Sequence, residues 1–252
     1  MLTAVTRAVS PSMAACELTF RAREAIDIAR ASRQHEAYQA CLRELGVRVI
    51  SLPAEPDYPD AMFVEDPAIV VEEIAVMTRM GAESRRGESA SLARELERFR
   101  ELRWMREPAT LDGGDVMRAG RTLYVGHSGR TSAEGIGQLK AEVEPFGYVV
   151  RAVDVRGCLH LKSACSYLGD GMVLGYRPWV DAAAFEGLRL IDAPDADAVN
   201  VLRIGDTVLV AEGFPRTAET IAGLGLGVRA LDNSEMRKAE GALTCCSLIF
   251  DA

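Results

Sequence analysis

The sequence predicts an α/β fold of five ββαβ units that close radially into one domain spanning residues 1–252, with strands from the two ends of the chain completing the fifth unit. Two observations predict it. The segments "DVMRAGRTLYVG", "SACSYLGDGMVLG" and "NVLRIGDTVLVAE" each read as an apolar strand, a Gly-containing turn and a second apolar strand, the pattern of a tight hairpin. Each is followed by a helix-like stretch, "SAEGIGQLKAEVEPFG", "WVDAAAFEG" or "RTAETIAGLG", and then by one more strand-like run, "YVVRAVDV", "LRLIDAP" or "VRALDN". The rest of the chain accepts the same reading.

Before these three units, "AMFVEDPAIVVEEIAVMTR" supplies a hairpin, "ESASLARELERFREL" an amphipathic helix and "RWMREP" a return strand. The ends supply the other unit. "ALTCCSLIF" is its first strand and "LTAVTRAV" its second, followed by the helix "EAIDIARASRQHEAYQACLREL", which stops at Gly46, and by the strand "VRVISLP". Repeats of this kind cover each other's exposed faces when they close radially, so a ring zipped by the two termini leaves no open end. An ordinary α/β sandwich is the competing arrangement.

Composition excludes several classes. Hydrophobic residues make up 48% and charged residues 26% of the 252, so disorder is not expected. No apolar run is long enough to cross a bilayer, and the opening "MLTAVTRAVSPSM" lacks the apolar core of a secretory signal, so no membrane partner and a cytoplasmic location are expected. A net charge of -8 argues against nucleic acid and suits a cationic small-molecule substrate. The six cysteines form no CxxC and no zinc-like spacing, so no metal and no other cofactor is expected. Nothing distinguishes a monomer from a homodimer.

In a radial array the first strands converge on an axis, and polar residues at their ends form the rim of a central pocket. Unit by unit these are Glu65 and Asp66, Asp112 and Asp115, His160 with Lys162 and Ser163, Asn200, and Cys245. A thiolate attacks carbon readily, an imidazole can stabilise it or pass a proton to a leaving group, and a carboxylate can orient the imidazole. Asp112 is the best-placed candidate for that last role. The remaining acids suit a planar guanidinium cation. His127 and His35 read as loop and helix-surface residues, Asp115 as a turn residue that could bond backbone amides, and Cys246 as a buried filler facing away from Cys245.

The segments "PDAMFVED", "SRRGE", "TLDGGDV", "YVGHSGRT", "LHLKS" and "DNSEMRKAEGALTCCSL" span nearly the whole chain. Together they resemble the dimethylarginine dimethylaminohydrolases of the guanidine-modifying (pentein) superfamily. The resemblance implies a five-bladed α/β propeller. It implies Cys245 as nucleophile, His160 as general acid/base and Asp112 as the carboxylate orienting the histidine. It further implies that Asp60, Glu65 and Asp66 hold the substrate, the last two nearest the guanidinium, and that Arg85 and Arg130 grip its α-carboxylate. The backbone carbonyls of Leu18 and Ala239 would accept from the α-ammonium, Leu18 from a lid loop, "VSPSMAACELTF". Glu240 is also implied to bind the substrate; it stands where relatives carry Asp, and its extra methylene leaves substrate preference less fixed than the chemistry. The implied reaction converts Nω-methylated arginine to citrulline and an amine through a covalent thiouronium. Its alternatives are hydrolysis or amidino transfer on unmethylated arginine or another guanidine, a thiol redox sensor using Cys245 and Cys246, and a non-catalytic amino-acid binder.

Overall fold

The computed structural model describes residues 1–252. It contains five three-stranded sheets, each made of a hairpin and one parallel strand. In chain order the strands are β1 (Leu2–Arg7), β2 (Arg48–Leu52), β3 (Ala68–Val70), β4 (Ile74–Met77), β5 (Glu101–Trp104), β6 (Val116–Ala119), β7 (Thr122–His127) and β8 (Val149–Asp154). They continue with β9 (Cys165–Gly169), β10 (Met172–Gly175), β11 (Arg189–Asp192), β12 (Leu202–Ile204), β13 (Thr207–Ala211), β14 (Gly227–Leu231) and β15 (Leu248–Asp251). Sheet order is β15-β1-β2, then β3-β4-β5, β6-β7-β8, β9-β10-β11 and β12-β13-β14. In each, the first pair is antiparallel and the second parallel. The termini pair as the sequence predicts, with Leu2 opposite Asp251 and Val5 opposite Leu248.

A parallel third strand requires a crossover, and helices supply it. They are α1 (Ile28–Glu44), α2 (Ser89–Leu96), α3 (Ala133–Val143), α4 (Leu161–Ala164), α5 (Pro215–Ala222) and α6 (Ser234–Lys238); α4 and α6 lie outside the crossovers. Local sequence sets their ends. Asp27 caps α1 by accepting from the Arg30 amide at 2.9 Å, and Ser132 caps α3 through the Gly135 amide at 3.1 Å. Gly46, at φ +81°, turns the chain out of α1 toward β2.

Each long helix buries one apolar stripe on its own sheet. Tyr38, Cys41 and Leu42 of α1 join Ala4 and Val47, while Leu92, Ala93 and Leu96 of α2 join Ala75 and Met77. Burying one such leucine contributes about 1.5–3 kcal/mol. The first strands of all five sheets, β15, β3, β6, β9 and β12, line one cavity of about 490 Å³.

The structure departs from the sequence reading in several places, two of them helix ends: α1 begins at Ile28 rather than Glu24, and α2 stops at Leu96, short of the end of "ESASLARELERFREL". "WVDAAAFEG" forms only a single 3₁₀ turn, Ala182–Phe185, because few residues separate Pro178 from the positive-φ Gly187, too few to repay helix nucleation. The return strand read at "RWMREP" begins earlier, at Glu101. His35 is buried within α1 rather than on its surface, stacked near Tyr38, because that face packs on the first sheet. "ALTCCSLIF" does not start as a strand: Thr244–Cys246 is a 3₁₀ turn, and the ladder begins at Leu248.

Candidate active site

The turn that replaces the start of that strand is where the thiol is presented. Asn200 accepts from the Thr244 amide at 3.0 Å and donates through Nδ2 to Thr244 Oγ1 at 2.9 Å and to the Lys162 carbonyl at 3.0 Å. Thr244 Oγ1 donates onward to Glu65 Oε2 at 2.8 Å. These bonds hold residue 244 out of the ladder. Cys246 is buried in the core under α1, with its thiol donating to the Ala242 carbonyl, whereas Cys245 is half-buried and lines a hollow. The adjacent thiols therefore differ in surroundings, as the sequence suggests, but through a turn rather than by strand alternation.

The same hollow is lined by Glu17, Asp60, Phe63, Asp66, Arg85, Arg130, Leu159, His160, Ala239, Glu240 and Gly241. His160 directly precedes the short helix α4, and its Nε2 lies 3.0 Å from Oδ2 of the fully buried Asp112. Asp112 is oriented in turn, its Oδ1 accepting from the Gly81 amide at 2.8 Å. Asp115, also fully buried, accepts from the Leu161 amide at 2.8 Å and from the hydroxyls of Ser128 and Thr131, at 2.6 and 2.7 Å. It thus bonds a backbone amide as expected, and the amide belongs to the residue that follows His160.

The two glycines of "LDGGD" are sterically required. A Cβ on Gly114 would lie 2.4 Å from His160 Nδ1 and 2.9 Å from Asp66 Oδ1, and one on Gly113 would lie 2.0 Å from the Glu65 carbonyl. Backbone of the third unit can approach the imidazole only without a side chain.

Burial alone would push the His160 imidazole down, but the carboxylates of Asp66, Asp112 and Asp115 overcome it and hold the pKa up at about 9. Burial, together with Glu65 and Asp66, pushes the Cys245 thiol well up. The resting pair at neutral pH is therefore imidazolium and thiol. A cation entering beside Asp66 would cancel the negative field and favour the thiolate.

Asp66 accepts from Arg85 Nη1 at 2.8 Å and from the Gly114 amide at 2.9 Å. Burial would raise its carboxyl, yet Arg85 and His160 hold it below the usual carboxylate range. Arg85 is itself buried and clasped by Glu88, Nε to Oε1 at 3.0 Å and Nη2 to Oε2 at 2.9 Å. Burial pushes Glu88 up to about 7, against the pull of Arg85. Asp60 accepts from the Glu17 amide at 3.0 Å, and burial pushes its carboxyl upward.

Two of the expected residues do not line the hollow, apart from Asp112, which stands behind the imidazole. Glu65 points to the far side, where it pairs with Lys162 at 2.5 Å and lines the cavity of about 490 Å³ shared by the five first strands. Leu18 is half-buried and packs, like the buried Met13 and Cys16 of the same loop, against the core under α1. The sequence reading did not single out Glu88 or Glu17. Glu88 closes the quoted "SRRGE", three residues after Arg85, and an Arg/Glu pair at that spacing was the available signal.

Asp66, Asp112 and His160 each offer a ligand atom within 4.8 Å of the others, a spacing that could hold a metal ion. All three are already bonded, to Arg85 and Gly114, to Gly81, and to one another. What the arrangement can do without a metal is nucleophilic attack by sulfur on a cationic carbon, with proton transfer through the imidazole.

Comparison with known proteins follows this geometry closely. The family described as "N,N dimethylarginine dimethylhydrolase, eukaryotic" matches residues 10–174. The N(G),N(G)-dimethylarginine dimethylaminohydrolase of Streptomyces coelicolor is 40% identical over 247 residues, covering 97% of this chain and 95% of its own. That of Pseudomonas aeruginosa is 37% identical over 228 residues, 89% of this chain and 90% of its own. A solved Pseudomonas aeruginosa structure, a Cys-to-Ser variant complexed with citrulline, superposes with a TM-score of 0.94 at 34% identity, covering 98% of both chains. The N-terminal domain of the cyanobacterial arginine dihydrolase ArgZ shares the fold, with a TM-score of 0.84 at 20% identity over 99% of this chain and 98% of its own.

Proposed function

Because this chain belongs to the dimethylarginine dimethylaminohydrolase family, we infer that it is a cysteine hydrolase converting Nω-methylated arginine to citrulline and dimethylamine or methylamine. The observation that carries this reading is a single hollow lined by the Cys245 thiol, the His160 imidazole and the Asp66 carboxylate, with Asp112 bonded behind the imidazole.

The substrate guanidinium sits against Asp66, and its positive charge lets Cys245 release its proton to solvent water. The thiolate attacks the guanidinium carbon to give a neutral tetrahedral adduct. His160, held as imidazolium by its carboxylates, donates a proton to the methylated nitrogen; the C–N bond breaks, the amine departs and a cationic thiouronium remains on sulfur. The now neutral imidazole takes a proton from water as its oxygen adds to the thiouronium carbon. Collapse breaks the C–S bond while the hydroxyl proton of the adduct passes to water, restoring the thiolate and releasing citrulline; the amine, already departed, takes up a proton from solvent. No step calls on a metal or other cofactor.

Substrate binding falls to the lid side. Asp60, Ala239 and Arg130 line the hollow, and together with the Leu18 carbonyl they take the α-amino-acid end. Arg85 reaches the substrate carboxylate only by giving up Asp66 while Glu88 keeps hold of it. Glu65 acts from behind, through Thr244, on the turn that presents Cys245. The fold reading completes the picture: one domain, residues 1–252, in which the five sheets are the blades of a closed α/β propeller. Its support is the cavity lined by the first strand of every sheet.

The test is mass spectrometry of products after incubation with asymmetric dimethylarginine. Citrulline and dimethylamine in equal amounts are expected, with arginine turned over far more slowly. Cys245→Ser should remove turnover, by a factor on the order of 10⁶ if it behaves like other catalytic nucleophiles. Arginine consumed as fast as dimethylarginine, or a fully active Ser variant, overturns the reading.

A further inference from the structure

Glu240 lines the hollow, and its carboxylate is spent on the lid. Its Oε2 accepts from the Thr19 amide at 3.0 Å, and its Oε1 accepts from the Phe20 and Arg21 amides, each at 2.5 Å. Three successive N–H groups turned toward one anion form a backbone nest. Residues 19–21 are exposed and belong to no helix or strand, so nothing in the core holds them. Beyond this nest, Thr19 accepts from Arg130 Nη2 at 3.0 Å and Arg21 pairs with Asp197 at 2.5 Å, whereas the earlier part of the loop is anchored, with Met13 and Cys16 buried in the core under α1 and Glu17 bonded to Asp60 and Ser84.

Two further facts bear on the role of this carboxylate. Glu240 has φ +57°, a left-handed backbone conformation that disfavours every residue but glycine, Asn and Asp, and Glu gains nothing locally from it. That conformation follows the cap of α6 and sets the side chain facing a loop more than two hundred residues away in sequence. The hollow holding Cys245 has a volume of about 20 Å³ and adjoins a cavity of about 400 Å³ that shares its Leu159, Glu240 and Gly241 and is lined by Phe20 and Arg21. Residues 19–21 and Glu240 thus stand at the junction of the two spaces, and Glu240 makes three of the bonds that displacing residues 19–21 would break.

We propose that Glu240 is a positioning residue that latches the lid by seating its carboxylate in the nest of residues 19–21, thereby fixing the peptide of Leu18 that directly precedes the nest. This rests on the proposed function for its catalytic consequence, since a held Leu18 carbonyl would serve the ammonium of an α-amino-acid substrate. Its structural content stands apart from that reading. Glu240 controls how readily the hollow opens and how well the amino-acid end is gripped, and it takes no part in the chemistry at Cys245.

Hydrogen exchange of the Thr19, Phe20 and Arg21 amides tests this in the ligand-free protein. In Glu240→Gln and Glu240→Asp, exchange at these three amides should rise on the order of tenfold or more relative to wild type, while the amides of α1 and β1 stay unchanged. Asp keeps the charge but loses the reach, so a latch predicts that both variants loosen the lid. Steady-state kinetics on dimethylarginine should give a KM raised on the order of tenfold with kcat within about threefold. Glu240→Gly, suited to the positive φ, guards against misfolding and should loosen the lid in the same way. Unchanged lid exchange in all three variants overturns the latch, and so does a fall in kcat at constant KM. Failure of the wild type to turn over any methylarginine overturns the proposed function instead and leaves the exchange test standing.

Discussion

The two sides of the hollow are built differently. On the histidine side, Asp112 and Asp115 are fully buried, and amides or hydroxyls from turns of several sheets fix them, so His160 rests on groups that cannot move without unpacking the core. On the lid side, Asp60, Arg130 and Glu240 bond to a loop whose residues 19–21 are exposed. Chemistry needs groups whose geometry and pKa are set beforehand, which burial and complete bonding provide. Access needs bonds that can open, and bonds at the surface exchange readily with water.

The sharpest way to break the contrast is Asp112→Asn. The amide keeps the shape but not the charge, and turnover should fall by about 10²–10⁴ with KM little changed, measured by citrulline release. A fall confined to KM would place Asp112 with the lid side.

Gly114→Ala attacks the histidine side through packing alone. The added methyl must displace His160 or the backbone, and overpacking of this kind costs about 1–3 kcal/mol, read from urea denaturation. The same change at Gly129, where a Cβ meets nothing within 4 Å, should leave stability nearly untouched.

Titration sharpens the comparison. The folded pKa of His160, about 9, lies above its unfolded value of about 6.5. The stabilisation is thus fully present below about pH 6.5 and is lost as pH rises through about 9, up to roughly 3 kcal/mol in all. Unfolding free energy should decline over that window, and kcat should fall on the same alkaline limb; His160→Ala should remove the stability component. A pH-independent wild-type stability between 6.5 and 9 would deny the imidazolium its role.

The smallest effect is expected from Glu88→Gln, which leaves Arg85 with Asp66 as its one full charge partner among its bonded groups. KM should rise about threefold to tenfold, with kcat nearly constant. A larger loss in kcat than in KM would move Arg85 and Glu88 to the chemical side of the comparison.

Much of the fold was legible because it is written in local periodicity. Hairpins such as "VMRAGRTLYVG" carry their turn glycine between two apolar runs, and the helix read over "EAIDIARASRQHEAYQACLREL" carries its Gly46 stop, although it begins only at Ile28, after the Asp27 cap. The nearly missing fourth helix had apolar residues but too few positions to propagate. The site was partly legible, because motif order places Cys245, His160 and Asp112 at the ends of units that had to converge. The sequence did not show that Glu65 and Asp66 part company: neighbours at a strand end can face opposite sides of a wall, and Asp66 lines the hollow while Glu65 pairs with Lys162. Cys245 was placed on a strand because Asn200 and Thr244, which pull it into a turn, stand far apart in the chain.

By itself the sequence determined the repeat, the element types and the set of reactive groups, since these follow from dihedral preference, apolar spacing and side-chain chemistry within a few residues. Only the tertiary structure decided which distant charges spend themselves on each other: Arg85 on Asp66, Glu65 on Lys162, Glu240 on the lid amides. Those pairings join residues up to about two hundred positions apart. They depend on desolvation and distance, which come into being only when the chain has closed on itself.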